Sequence, residues 1–353
     1  MLRKAFYRWF RDNEAHVHEL NYLFWECTTR CQLRCRHCGS DCAAASGDVD
    51  MPLEDFLRAL DTIPREERPR DFTVVLTGGE PLLRPDIEDI GRALCARGFG
   101  WSMVSNGWLY DEPKHARLMA AGLGALTISL DGIGEAHDWM RGRPGSYERA
   151  LRAISIAAKE PRLNFDVVTC VNRRNLAELP RIHDVLQGLG VPQWRLFTII
   201  PIGRAKNDPD MHLSDAEFGQ LMEFIRTKRA TAAPTDMTVT FGCEGYLGRY
   251  ERKVRQNPYI CRAGLTIASV LIDGRICGCP NIDRDVFSQG NIYQDDFYEV
   301  WSTRFQPFRD RAWTRRGRCR DCPVWRDCLG NGMHNWHGDC SDVLNCHYQK
   351  LHT

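Results

Sequence analysis

The chain has 353 residues, 43% of them hydrophobic and 26% charged, with 47 Lys and Arg against 46 Asp and Glu. This is enough chain for a full core and two domains, and a formal charge of +1 gives no general attraction to nucleic acid or anionic membrane. No apolar run approaches the roughly 18 residues of a membrane span. The opening MLRKAFYRWFRDNEAH interrupts its apolar residues with charge and lacks a small-residue cleavage site, so it does not read as a secretory signal; the expected location is cytoplasmic.

In chain order, residues 1–19 form an amphipathic helical extension, with Leu2, Phe6, Trp9 and Phe10 on one face and basic residues on the other. A basic amphipathic helix can lie on a membrane; the expectation here is that it packs over the bottom of the barrel instead. From residue 20 strands alternate with helices. Strands are expected at 21–29, 72–77, 101–105, 125–130, 165–171 and 195–200, with helical periods at 52–63, 85–97, 112–121, 147–159, 174–187 and 214–228. Ser146 reads as the N-cap of the helix at 147–159. The alternation implies right-handed βαβ units, and the short apolar strands imply a parallel sheet buried on both faces. Polar, glycine-rich pieces follow the strands (CTTRC, TGGEP, SNG, SLDG, PIGR), so these loops should meet at the carboxyl edge of the sheet. After about residue 235 the pattern shifts to short hairpins, with Asp273-Gly274 as one turn, and to nine cysteines. A module with so little apolar mass commonly needs metal to fold.

Sixteen cysteines are the compositional outlier. Without an export signal, grouped thiols more often hold metal than form disulfides. In CTTRCQLRCRHCGSDC the useful subset is Cys31-x3-Cys35-x2-Cys38. Three thiolates at this spacing on one loop can hold three irons of a cubane and leave the fourth open. Cys27, Cys42, Cys95 and Cys170 read as packing or spare thiols.

CQLRCRHC resembles the signature of the radical S-adenosylmethionine enzymes. The resemblance implies an α/β fold, a partial (β/α)6 TIM-like barrel over residues 20–235. It also implies a [4Fe–4S] cluster on Cys31, Cys35 and Cys38 whose open iron is chelated by S-adenosylmethionine. In that family one electron cleaves the sulfonium, and the resulting 5′-deoxyadenosyl radical takes a hydrogen from the substrate. Carried over by motif, Gly78, Gly79 and Glu80 correspond to the family's GGE element, which approaches the ligand's amino group. Ser105 and Asn106, with Ser129 and Asp131, stand where ribose and methionine are contacted. Arg141 corresponds to an arginine that pairs with the carboxylate, and Asn172, Pro201 and Gly203 to weaker elements around the nucleoside.

Residues 236–353 resemble the SPASM extension of the family, a cysteine-rich α+β domain carrying one or two auxiliary [4Fe–4S] clusters. Cys261, Gly274 and Cys279 fit its opening, and Cys319-x2-Cys322-x5-Cys328 fits its next segment. The pattern then departs: where the family has a cysteine four positions after Cys328, this chain has Gly332. The expected assignment is Cys243, Cys261 and Cys279 for the first auxiliary cluster, and Cys319, Cys322, Cys328 and Cys346 for the second. The missing ligand is Cys340, His334 or none, and Cys277 is spare. A zinc ribbon on Cys319/Cys322 and Cys340/Cys346 is the competing reading.

The resemblance implies a substrate that is a peptide or protein side chain, modified by cross-linking, thioether formation or oxidation, and an electron donor such as flavodoxin or ferredoxin. About twenty residues precede the first strand, too few for the leader-binding domain of some relatives, so a separate chain or the barrel mouth would recognise a leader. The alternative within the family is tailoring of a porphyrin-derived or quinone cofactor precursor. The rival from another class is a non-enzymatic iron–sulfur or zinc-structured binding protein. No catalytic acid or base can be assigned.

Overall fold

A computed structural model describes residues 2–42, 50–68, 71–242 and 244–352. The repeats begin with β1 (Tyr22–Thr28), α2 (Leu53–Asp61) and β2 (Thr73–Gly78), after an N-terminal helix α1 (Leu2–Val17). They continue through α3 (Ile87–Ala96), β3 (Gly100–Ser105), α4 (Glu112–Ala120), β4 (Leu123–Ser129), α5 (Glu135–Arg141), α6 (Ser146–Ala157), β5 (Asn164–Cys170), α7 (Leu179–Gly188), β6 (Gln193–Phe197), α8 (Asp215–Thr231) and β7 (Thr238–Phe241). The six expected strands are all present and pair in parallel in sequence order, with β7 added beside β6. On the other side β8 (Ile267–Val270) pairs in parallel with β1, then turns through Asp273-Gly274 into antiparallel β9 (Arg275–Cys277), followed by β10 (Gly290–Asn291). Gly274, at φ +83°, supplies the left-handed residue that this hairpin needs. The ten-stranded sheet stays open between β10 and β7.

The strands alternate more than expected. One face holds Leu23 and Trp25, Val74 and Leu76, Leu126 and Ile128, Trp194 and Leu196, all buried. Trp25 stacks on Phe56 of α2 at 4.1 Å between centroids, and each such fully buried side chain contributes about 1.5–3 kcal/mol. The other face is partly polar. Thr127 Oγ1 donates to Asp166 at 2.6 Å, and Arg195 donates to both residues. The strands are thus not apolar throughout, as their short runs suggested: the inner face carries a hydrogen-bonded polar layer.

Two further expectations are corrected. The residue before α6 is Gly145, in the left-handed conformation, and Ser146 is the first helical residue. Asp138 does the capping, accepting from Gly145 N, Ser146 Oγ and Tyr147 N at 2.7–2.8 Å. In α1 the basic side faces the protein: Lys4 and Arg8 pair with Asp327, and Arg11 donates to the Arg326 carbonyl. Phe6 and Trp9 remain 65% and 61% exposed. The helix therefore sits on the cysteine-rich half, not under the barrel, and by its charges. Among the described residues no helix is long and apolar enough to cross a membrane.

Candidate active site

Because all six repeats run in parallel, their polar loops lie along one edge, where they grip the cysteine loop that follows β1. Glu80 N donates to the Arg30 carbonyl at 2.8 Å, and Gly79 N to the Thr28 carbonyl at 2.7 Å. A Cβ on Gly78 would stand 2.1 Å from Thr28 O, and one on Gly79 2.0 Å from Arg30 O. The close approach these glycines permit is to the loop backbone. At the end of α5, Met140 and Arg141 carbonyls accept from Arg36 N and Arg34 N at 2.9 and 3.1 Å. From the segment after β6, Arg204 N donates to the Cys38 carbonyl at 3.1 Å, and its guanidinium to the carbonyls of Cys35 and Cys42 at 2.7 and 3.1 Å.

All three thiols of the motif lie on the clamped loop, near enough for their charges to act on one another. Cys31 accepts from Asn106 Nδ2 at 3.8 Å, and Cys35 from Arg141 at 3.6 Å. Burial pushes the Cys31 thiol up to about 11 and that of Cys35 in the same direction, and Cys31 is raised further by the neighbouring Cys35 and Cys38. A hydrogen bond from the Cys42 thiol is the main influence drawing Cys38 down to about 6. Three thiolates this close repel one another unless positive charge is placed between them. Around them, Gln32 Oε1, His37 Nδ1 and Arg141 Nε are buried without a hydrogen-bond partner. Converging thiols and unmatched polar atoms fit an iron–sulfur cluster with a polar ligand on its open iron.

The remaining strand-end residues divide by role. The buried Glu80 carboxylate accepts from Ser105 Oγ, Asn106 N and Leu82 N at 2.9, 2.8 and 3.2 Å, tying the β2 and β3 loops together. Burial raises this carboxyl to about 7. Arg141 forms a buried ion pair with Asp131 at 2.6 Å, while Asp131 Oδ1 accepts from Cys170 N at 2.8 Å. Burial opposes both charges, but their attraction prevails: the Asp131 carboxyl is held below the usual range and the Arg141 guanidinium stays protonated. Asn172 Oδ1 accepts from Arg174 N and Asn175 N, and Asn175 Nδ2 reaches the Asp131 carbonyl at 2.8 Å. Ser129 ends β4, half-buried. Pro201 lines a cavity of about 350 Å³ with Thr198, His212, Arg318, Cys346 and Lys350. Gly203 lies against the Cys38 carbonyl.

Beside the cysteine loop a cleft of about 630 Å³ opens to solvent, lined by Arg34, Arg36, Arg143 and Arg204 with Trp139 and Asp208. Sequence reasoning missed this arginine wall, and it missed Asn175. It also missed the buried Glu244, which accepts from Thr198 N at 2.5 Å and meets His347 Nε2 at 3.1 Å. A charged residue three positions past the end of a buried strand was the available signal for Glu244.

In the C-terminal half, Cys319, Cys328 and Cys346 are pushed up mainly by burial, with mutual repulsion among these thiols and Cys322 adding to it. Asn331 N donates to Cys328 Sγ at 3.1 Å and Met333 N to Cys261 Sγ at 3.4 Å. Cys261 and Cys279 both pack against the core. The charged neighbours of Cys340 are Asp283, Arg316 and Asp339, and its φ is +52°. Cys277 is buried at the end of β9. Cys243 lies outside the described residues.

Residues 25–186 match the radical SAM superfamily, and residues 261–323 match SPASM, an iron–sulfur cluster-binding domain. An AdoMet-dependent heme synthase of Nitratidesulfovibrio vulgaris is 27% identical over 327 residues, spanning 87% of this chain and 86% of the relative. The mycofactocin maturase MftC of Mycobacterium tuberculosis is 29% identical over 316 residues, 88% of this chain and 78% of the relative. The structure of anSMEcpe with bound AdoMet and the Cp18Cys peptide superposes with a TM-score of 0.71 at 18% identity, over 94% of each chain, and shares the fold. The cofactors that go with these matches are a [4Fe–4S] cluster with S-adenosylmethionine and auxiliary iron–sulfur clusters. The chain is a radical SAM enzyme with a C-terminal SPASM domain.

Proposed function

We propose that this enzyme takes a hydrogen atom from the side chain of a peptide or protein, in a maturation reaction that forms a cross-link or thioether or oxidises the residue. The observation that carries the reading is the solvent-open, arginine-lined cleft next to the cysteine loop. An open polar groove admits an extended chain, and guanidinium forks fit its carboxylates, whereas an enclosed apolar pocket would suit a small rigid ligand. The maturase relative and the peptide held by the same fold in anSMEcpe support it. A carboxylate-bearing porphyrin is the second reading, favoured by the heme synthase relative and by the same arginines.

When bound, the cluster and S-adenosylmethionine supply one-electron cleavage of the sulfonium and a carbon radical that accepts the hydrogen. In this reading Cys31, Cys35 and Cys38 hold the cluster, while Asn106 and Arg141 donate to sulfur and stabilise its negative charge. Glu80 orients Ser105 and Asn106 toward the nucleoside. Arg141, braced by Asp131, meets the carboxylate of methionine, with Asn172 and Gly203 closing the loops around it. We assign residues 1–19 to an N-terminal extension, 20–235 to the barrel and 236–353 to the auxiliary-cluster domain. The electron donor is a small low-potential carrier such as flavodoxin or ferredoxin, and a separate chain or the barrel mouth itself recognises any leader segment.

The test is anaerobic turnover with deuterated Asp- and Glu-rich peptide pools in one arm and deuterated iron coproporphyrin III in the other. Deuterium in 5′-deoxyadenosine and hydrogen loss from a peptide support the proposal. Transfer from the porphyrin alone overturns it in favour of the second reading.

A further inference from the structure

The first auxiliary site lacks the thiol that the family pattern puts at the position of Gly332, and the chain around that glycine carries a replacement. A Cβ at Gly332 would stand 2.5 Å from His334 Cε1 and 2.8 Å from the Glu244 carbonyl, so the imidazole fills the space a side chain at 332 would take. Part of the residue reaches the surface, but His334 Nε2 is buried and has no hydrogen-bond partner. An orphaned ring nitrogen in a protein interior needs a reason. One residue earlier, Met333 N donates to Cys261 Sγ at 3.4 Å, which places the His334 backbone beside a thiol of the first auxiliary set. The second thiol follows Gly278, whose Cβ would approach Gly264 N to 3.0 Å, so Cys279 and Cys261 enter from two strands of chain pressed together. The other candidate, Cys340, has Asp283, Arg316 and Asp339 as its charged neighbours.

We propose that His334 is an iron ligand of the first auxiliary cluster, binding through Nε2 in place of the missing thiolate. A neutral imidazole offers Nε2 as lone-pair donor while Nδ1 keeps the proton. Replacing a thiolate by imidazole makes the site less negative and shifts its reduction potential upward, as happens when histidines replace cysteines on other iron–sulfur centres. The inference rests on the auxiliary-cluster assignment and is independent of the substrate.

The experiment uses the full chain with Cys31→Ala, Cys35→Ala and Cys38→Ala, so that only the C-terminal clusters assemble, grown with 15N-histidine in otherwise 14N protein and reduced with dithionite. Pulsed EPR should show a strong 15N coupling from directly bound imidazole, distinct from weak 14N couplings of peptide N–H groups such as Met333. His334→Ala should remove that coupling while the cluster on Cys319, Cys322, Cys328 and Cys346 persists. His334→Cys should keep the iron, lack the 15N signal and titrate at a lower midpoint potential. Absence of the coupling in the labelled His334 protein overturns the proposal, as does its persistence in His334→Ala. So does iron near four atoms per chain, against the roughly eight of two cubanes, in the His334 protein. Labelling the unsubstituted histidine keeps the test decisive even where a variant fails to fold.

Discussion

Gly203 lies so close to the Cys38 carbonyl that a Cβ on it would stand 2.4 Å from that oxygen, and its φ is +54°. Position 203 therefore sets where the last thiol of the loop points. Gly203→Ala must shift the loop backbone and adopt a left-handed conformation, at about 1 kcal/mol for the conformation alone. The expected result is a chain with unchanged far-ultraviolet circular dichroism that retains less iron at the first site. Iron analysis in the Cys346→Ala background, compared with Gly203 protein in the same background, measures it.

The Asp131–Arg141 pair is buried on both sides. Removing one partner of such a pair strands the other charge, at roughly 3–5 kcal/mol. Arg141→Ala should destabilise the chain by about that amount in urea unfolding, and adding Asp131→Asn should recover much of it. Equal stability of the single and double variants would mean the ion pair contributes nothing.

Glu80 gives a pH signature. Its folded pKa of about 7 lies above its ordinary 4.5, so the folded chain binds the proton more tightly than the unfolded chain. Stability from this group is thus fully present below about pH 4.5 and is lost as pH rises toward 7, by about 3 kcal/mol at 1.36 kcal/mol per unit. Urea midpoints measured from pH 5 to 8 should fall for the wild type and flatten over that window in Glu80→Gln. A slope identical in both proteins would remove Glu80 from the account.

The thiols should separate by iron count. Cys346→Ala should lower iron by about four atoms per chain, whereas Cys27→Ala, Cys95→Ala and Cys277→Ala should leave it unchanged. Equal losses across all four variants would contradict the division into ligands and packing residues.

What could be read in advance follows from the range of the forces involved. The six parallel strands announced themselves through short apolar runs ending in glycine and polar turns, and Cys31, Cys35 and Cys38 through local spacing. The polar layer of Thr127, Asp166 and Arg195 was not legible, because three strands must first align in register before those groups meet. Nor was the attitude of α1: amphipathicity identifies two faces, but which one turns inward depends on Asp327, more than 300 residues away in sequence. Arg204 was visible as part of a turn, yet its reach to the carbonyls of Cys35 and Cys42 exists only in the folded loop. The glycines of TGGEP were expected to let the backbone approach the ligand; the close approach the structure shows is to the cysteine loop, at Thr28 O and Arg30 O.

The most direct measurement is 5′-deoxyadenosine formed from S-adenosylmethionine by anaerobically reconstituted, dithionite-reduced enzyme, with wild type and Cys35→Ala side by side. The account predicts steady product from the wild type and none above background from Cys35→Ala. Undiminished cleavage by Cys35→Ala, or intact S-adenosylmethionine in the wild-type reaction, would contradict it.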